Sequence, residues 1–161
     1  MIHEDLSNFA AALPRIGALI GLDLGTKTIG VACSDTRRGI ASAVETVKRK
    51  KFTLDAARLV DIAQAREVSG IILGLPRNMD GSEGPRAQST RAFARNLLRV
   101  EGLSGLPIGY WDERLSTVAA ERALLEADTT RKRRAEVIDS VAASYILQGA
   151  LDRLAHMGRD G

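Results

Sequence analysis

The sequence is short of the residues that build several kinds of site. It holds one cysteine, Cys33. A lone cysteine excludes an intramolecular disulfide and a cysteine-built metal cluster. Its place in the apolar run from Ile29 reads as that of a small buried hydrophobe. The two histidines, His3 and His156, lie in the terminal segments. Neither has an evident Ser or Cys partner, Ser116 included, so a serine hydrolase built on a nucleophile, a base and an orienter is not expected. No apolar run reaches the ~18 residues that a membrane-spanning helix needs. The first residues carry Glu4 and Asp5 instead of a basic leader, so no signal peptide and a cytoplasmic location are expected. There is no internal repeat. Neither sign of charge dominates: 23 Lys and Arg against 20 Asp and Glu leave a net charge of +3 and a pI near 9.3. That balance permits a polyanionic partner without establishing one.

What is present suits one folded domain. The chain has 161 residues, 45% of them hydrophobic, which is enough for a single core. Leu6, Phe9, Ala10 and Leu13 recur at helical spacing and predict a short amphipathic helix ended by Pro14. We place residues 1–17 as an N-terminal extension, 18–155 as the main domain and 156–161 as a tail. Ala18 to Asp23, Ile29 to Ser34 and Ile40 to Val47 read as three strands with short connections, an antiparallel meander. A helix follows, capped by Thr53 and ended at Ser69 and Gly70. Gly70 to Leu75 is wholly apolar and suits a strand covered on both faces. Pro85 opens a helix to about Val100, with Ala87, Thr90, Phe93, Ala94, Leu97 and Leu98 facing inward. Ile108 to Trp111 is a further strand. A helix from Ser116 or Thr117 to Ala127 and a long one from Ala135 to Ala155 close the chain. The expected architecture is α/β: a five-stranded mixed sheet, with three strands in a meander and two parallel, flanked by helices.

Carboxylates fall where such folds carry their sites, at the carboxyl ends of parallel strands. Asp23 ends the first apolar run, and Asp112 and Glu113 end the last. Asp139 heads a helical face continued by Ala142, Ala143, Ile146 and Ala150, a face suited to packing on a sheet. Acids gathered from distant positions repel one another, and they suit a hard divalent cation such as Mg²⁺. Ions so held can activate water against a phosphodiester. Singly, each acid fits a turn, a cap or a helix-dipole role better than a catalytic one; taken together, the trio weighs evenly as a site. Asp112 and Glu113 point to opposite faces if the strand continues, and alternation does not say which faces inward. The turn at Gly25 and Thr26, followed by Lys27, is of a kind that lets backbone approach a phosphate. Arg77 and Arg114 follow strand ends and can reach a phosphate. Lys48 to Lys51 and Arg131 to Arg134 are cationic runs, solvated surface singly and a substrate track if they bracket the acids. Phe93 and Trp111 read as core.

Four segments together resemble the YqgF/RuvX family. They are Ile20 to Asp35 (IGLDLGTKTIGVACSD), Gly74 to Gly84 (GLPRNMDGSEG), Asp112 to Thr117 (DERLST), and Asp139 to Ala143 (DSVAA) continued by Ile146 to Gln148 (ILQ). The resemblance covers residues 18–152. It implies an RNase H-like fold related to the RuvC resolvases and a nuclease dependent on Mg²⁺ or Mn²⁺. Asp23, Glu113 and Asp139 would be its catalytic, metal-binding acids, with Asp112 as an alternate ligand. Lys27, Arg77, Asn78, Arg114 and Arg133 would bind substrate. The chain departs from the family in Thr28, where many relatives carry a basic residue, and in its first 17 residues.

The resemblance implies structured nucleic acid as partner. Precursor 16S rRNA cut near its 5′ end, with ribosomal particles as context, comes first; a Holliday junction or other branched DNA comes second. A binding-only ribosome-assembly factor is a third reading. A nucleotide-binding module of the sugar-kinase kind is a fourth, and it lacks the chain length for a second lobe.

Overall fold

The computed structural model describes residues 1–115 and 131–160, with side chains at all of these except 131–137 and 159–160. Strands β1 (Ile2–His3), β2 (Ala18–Leu24), β3 (Thr28–Ser34), β4 (Ala41–Lys48), β5 (Val68–Leu75) and β6 (Ile108–Asp112) form one sheet in the order β1-β6-β5-β2-β3-β4. The meander β2-β3-β4 is antiparallel, while β5 is parallel to both β2 and β6. Helices are α1 (Leu6–Ala12), α2 (Phe52–Ala65), α3 (Pro85–Leu97) and α4 (Arg131–Asp160). The helix expected from Ser116 or Thr117 lies outside the described residues.

The expected five strands become six. Residues 2–3 pair in parallel with Ile108 and Gly109, and the Ile108 amide donates to the Met1 carbonyl at 2.9 Å. A two-residue strand is held by backbone alone and has no side-chain period to read. Helix α1 then turns back over the sheet. Asp5 caps it by accepting from the Ser7 amide at 2.8 Å, and Phe9 is fully buried. Helix α2 starts at Phe52, so Thr53 lies inside it and is not its cap. The buried Asp55 carboxylate reaches back instead and accepts from the Lys50 amide at 3.0 Å. Glu67, at a positive φ of 52°, turns the chain so that β5 begins at Val68, ahead of the expected Gly70.

Each face of the sheet carries its own apolar layer. Ile20, Leu22, Val31, Ile71, Leu73 and Tyr110 meet the buried sides of α2 and α3. Leu19, Ala32, Ile72 and Trp111 meet α1 and α4 through Phe9, Ala142, Ala143, Ile146, Leu147 and Ala150. Alternate residues of one strand therefore enter opposite layers, as the pleat requires. Among the described residues no helix is long and apolar enough to cross a membrane.

Helix α4 lies unusually deep because the strands beneath it lack side chains where it crosses. A Cβ on Gly30 would stand 1.8 Å from the Asp139 carbonyl oxygen, and one on Gly21 would stand 2.7 Å from Leu147 Cβ. A Cβ on Gly74 would meet Ile146 at 2.6 Å. Mid-strand glycine marks such close approaches. Gly30→Ala must push the α4 backbone away, and it should destabilise the protein by about 3 kcal/mol, at the upper end for overpacking. Gly105→Ala, at a site with no atom within 4 Å of the new carbon, should change stability little. Urea denaturation of the two variants checks this contrast.

Candidate nuclease site

The parallel strands β2, β5 and β6 end on one edge of the sheet, and β3 begins there. Asp23 lies directly opposite Gly30 in the antiparallel β2-β3 ladder. Opposed residues project to the same face, and on this face Gly30 meets the Asp139 carbonyl. Asp23 is therefore on the α4 side, and it is only 4% exposed. Glu113 opens a single 3₁₀ turn after β6. Its Oε1 stands 2.8 Å from where a Gly74 Cβ would be, so it too reaches the α4 side. Asp139 is half-buried about two turns into α4, and its Oδ2 accepts from Thr28 Oγ1 at 2.5 Å. The fold thus brings all three acids to one face at one end of the sheet.

The neighbouring Asp112 goes elsewhere. It is paired with Leu75, whose side chain belongs to the layer under α2 and α3. Its carboxylate accepts from the Arg114 amide at 3.0 Å, from Nε at 3.1 Å and from Nη2 at 2.7 Å. The Arg114 hydrogen bond holds the Asp112 carboxyl below its ordinary range, against the opposing effect of burial. The same bond raises the guanidinium's pKa. The end of β6 thus separates two adjacent acids: Glu113, in the 3₁₀ turn, reaches the α4 side, and Asp112, the last residue of the strand, binds its own arginine.

Carboxylates supply the oxygen ligands that a hard cation takes. The glycines at 30 and 74 let α4 and the Glu113 carboxylate close onto the strand ends. Among the described residues no group of three or more His, Cys, Asp and Glu is arranged to hold a metal ion, and Asp139 is turned to Thr28. Mg²⁺ is commonly held by one or two carboxylates, completed by water and substrate phosphate. The acids fit that manner of binding better than a closed protein cage.

The expected cations gather unevenly. Lys27 is exposed on the β2-β3 turn. The run Lys48 to Lys51 adjoins it, since Lys48 pairs with Thr28 and the Arg49 amide donates to the Lys27 carbonyl at 2.9 Å. Arg49 Nη1 donates to the Gly25 carbonyl at 2.6 Å. Arg77 is half-buried and stands 3.6 Å from Glu83. Asn78 braces its own loop: its amide group donates to Ser82 Oγ at 3.0 Å and its backbone N–H to the Ser82 carbonyl at 2.9 Å. Arg114 reaches the Met79 carbonyl at 3.5 Å, which ties the second strand end to the same loop. The side chain of Arg133 lies outside the described residues. Reading the sequence did not single out Thr28 as the partner of Asp139, nor Gly30 and Gly74 as the points of close approach. Glycine inside an otherwise apolar strand was the available signal.

A family model described as "RuvX: Holliday junction resolvase" matches residues 17–153. A protein of Ruegeria sp. (strain TM1040), named "Putative pre-16S rRNA nuclease", is 71% identical over 157 residues, 98% of each chain. One of Roseobacter denitrificans with the same name is 73% identical over 154 residues, 96% of this chain and 94% of that one. Among solved structures, Thermus thermophilus RuvC in complex with a Holliday junction substrate aligns with a TM-score of 0.55 at 14% identity. That alignment covers 88% of this chain and 96% of RuvC. A second Thermus thermophilus RuvC structure gives 0.54 at 13% identity, over 86% and 96% of the two chains. At these identities the likeness speaks for the fold, which is the RNase H-like one expected.

The Asp112-Arg114 pair has a pH signature. A carboxyl whose titration is depressed in the folded state adds stability above its unfolded pKa, near 3.9, and that stability is lost as pH falls through the lower folded value. Asp112→Asn should therefore lower the thermal midpoint at neutral pH. The gap from the parent should close in acid, below the ordinary carboxylate range. Melting curves across that range check it.

Proposed function

This chain belongs to the RuvX family, and from that premise we propose that it is a metal-dependent nuclease that matures the 5′ end of precursor 16S rRNA in the cytoplasm. What supports the reading is that Asp23, Glu113 and Asp139 lie on the α4 side of the same sheet end. Like charges gain little by collecting at a half-buried edge unless a cation joins them. The names of the 71–73% identical relatives favour the RNA substrate.

Asp23, Glu113 and Asp139 would hold Mg²⁺ or Mn²⁺ there, with Asp112 kept from that role by Arg114. When bound, the metal lowers the pKa of the attacking water and neutralises charge on the phosphate and the leaving oxygen. The chain's own residues supply position. Strand pairing fixes Asp23, and Thr28 orients Asp139 by its hydrogen bond. The short 3₁₀ turn lays Glu113 over Gly74. Lys27, Arg77 and Arg114 neutralise backbone phosphates around the cut, with Arg133 as a further cation. Asn78 holds the Arg77 loop in shape and offers its amide to the strand. Precursor RNA is met within or beside ribosomal particles, where structured rRNA is the substrate.

The description carried by the matching family model favours one alternative, resolution of Holliday junctions. A resolvase makes two cuts related by symmetry and works as a dimer, whereas one RNA cut needs a single site. Cleavage assays with Mg²⁺ or Mn²⁺ on precursor 16S RNA and on a four-way DNA junction separate the two. We expect cleavage of the RNA. The double variant Asp23→Asn with Asp139→Asn should lose about a thousand-fold in rate, the several kcal/mol that metal-ion stabilisation supplies, while RNA binding is retained. Cleavage undiminished in the double variant would refute the site. Normal rRNA maturation in cells carrying it would favour the binding-only reading.

A further inference from the structure

The first residues of the chain reach the proposed site through one arginine. Arg91, on α3, shares its guanidinium between two carboxylates. Nη1 donates to both Glu4 oxygens at 2.8 Å, while Nε and Nη2 donate to Glu83 at 2.6 and 2.7 Å. The group lies 4.9 Å over the Tyr110 ring, and its side chain is 22% exposed. Glu83 belongs to the loop that carries Arg77. The Glu83 oxygen that accepts from Arg91 Nη2 is also the atom nearest Arg77, whose Nη2 stands 3.6 Å away. One carboxylate oxygen therefore lies between two guanidiniums. Arg91 holds it as a bidentate fork, and Arg77 stays at the edge of ion-pair distance. The Arg91 hydrogen bond is the main cause holding the Glu83 carboxyl below its ordinary range, and Arg77 is the smallest. Arg77 Nε is buried with no hydrogen-bond partner among the described residues.

We infer that Arg91 is a positioning residue that neutralises Glu83 and so leaves the Arg77 charge free for a substrate phosphate, with Glu4 balancing Arg91 from the N-terminal segment. The inference rests on the reading of Arg77 as a phosphate contact. Without Arg91, Glu83 has no other fork among its described partners, and it closes on Arg77 and competes with the nucleic acid. Through Glu4 and Arg91 the segment before β2 thus acts on the availability of Arg77.

The test is binding of a fluorescein-labelled RNA hairpin with a single-stranded 5′ flank, followed by anisotropy in EDTA so that no cleavage occurs. Arg77→Gln should weaken binding by about five-fold, the upper end for one exposed ion pair. Arg91→Met should weaken it similarly although Arg91 faces Glu4 and Glu83. Adding Glu83→Gln to Arg91→Met should restore binding, because the competing carboxylate is gone. Adding Glu101→Gln instead restores the same net charge at an exposed position and should not rescue. Glu83→Gln alone should bind at least as tightly as the parent, and it keeps the test alive if Arg91→Met folds poorly by melting. Equal rescue by both second changes, no rescue by Glu83→Gln, or weaker binding by Glu83→Gln alone would overturn the inference. Parent-like binding by Arg77→Gln would instead remove the reading it rests on.

Discussion

The site depends on one close contact between backbones. The carbonyl of Asp139 occupies the space a side chain would fill on Gly30, 1.8 Å from where its Cβ would lie. No other residue type at position 30 permits helix α4 to lie so near β3. Because Gly30 is the ladder partner of Asp23, the same contact sets the spacing between an acid of the sheet and an acid of the helix. Gly74 does the equivalent for Glu113, whose carboxylate and the Ile146 side chain both crowd its open face. Packing and proposed chemistry are thus one arrangement: the apolar residues that bury α4 on the sheet deliver Asp139 to the strand ends.

That arrangement concentrates negative charge at one end of the sheet, and several described cations lie around it. Asp112 orients Arg114, and Arg91 neutralises Glu83. Lys27 and the run from Lys48 are at the rim, on the β2-β3 turn and the end of β4. A polyanion can lie across such a rim while its scissile phosphate approaches the acids. A divalent ion held by them would relieve their mutual repulsion.

Much of this was legible in the residues. The apolar runs of β2, β3 and β5 and the helical face from Asp139 through Ala150 follow from period and burial, and the structure places them so. The strand β1 was not legible, because two residues held by backbone hydrogen bonds leave no pattern. Nor was the choice between Asp112 and Glu113: alternation says they diverge, but the direction depends on the register of β6 against β5. The bridge from Glu4 through Arg91 to Glu83 joins three segments whose spacing in the chain is irregular, so only the folded geometry assembles it.

On this reading Asp23, Glu113 and Asp139 share one divalent ion at the strand ends. Paramagnetic broadening of backbone amides by Mn²⁺, read by NMR on the isotope-labelled protein, tests it most directly. Leu24, Gly30, Gly74 and Ser140 should broaden together at low Mn²⁺, and Asp23→Asn should abolish the effect at all four. Broadening centred on other carboxylates, such as Asp61 and Glu101, with these four amides left sharp, would contradict it.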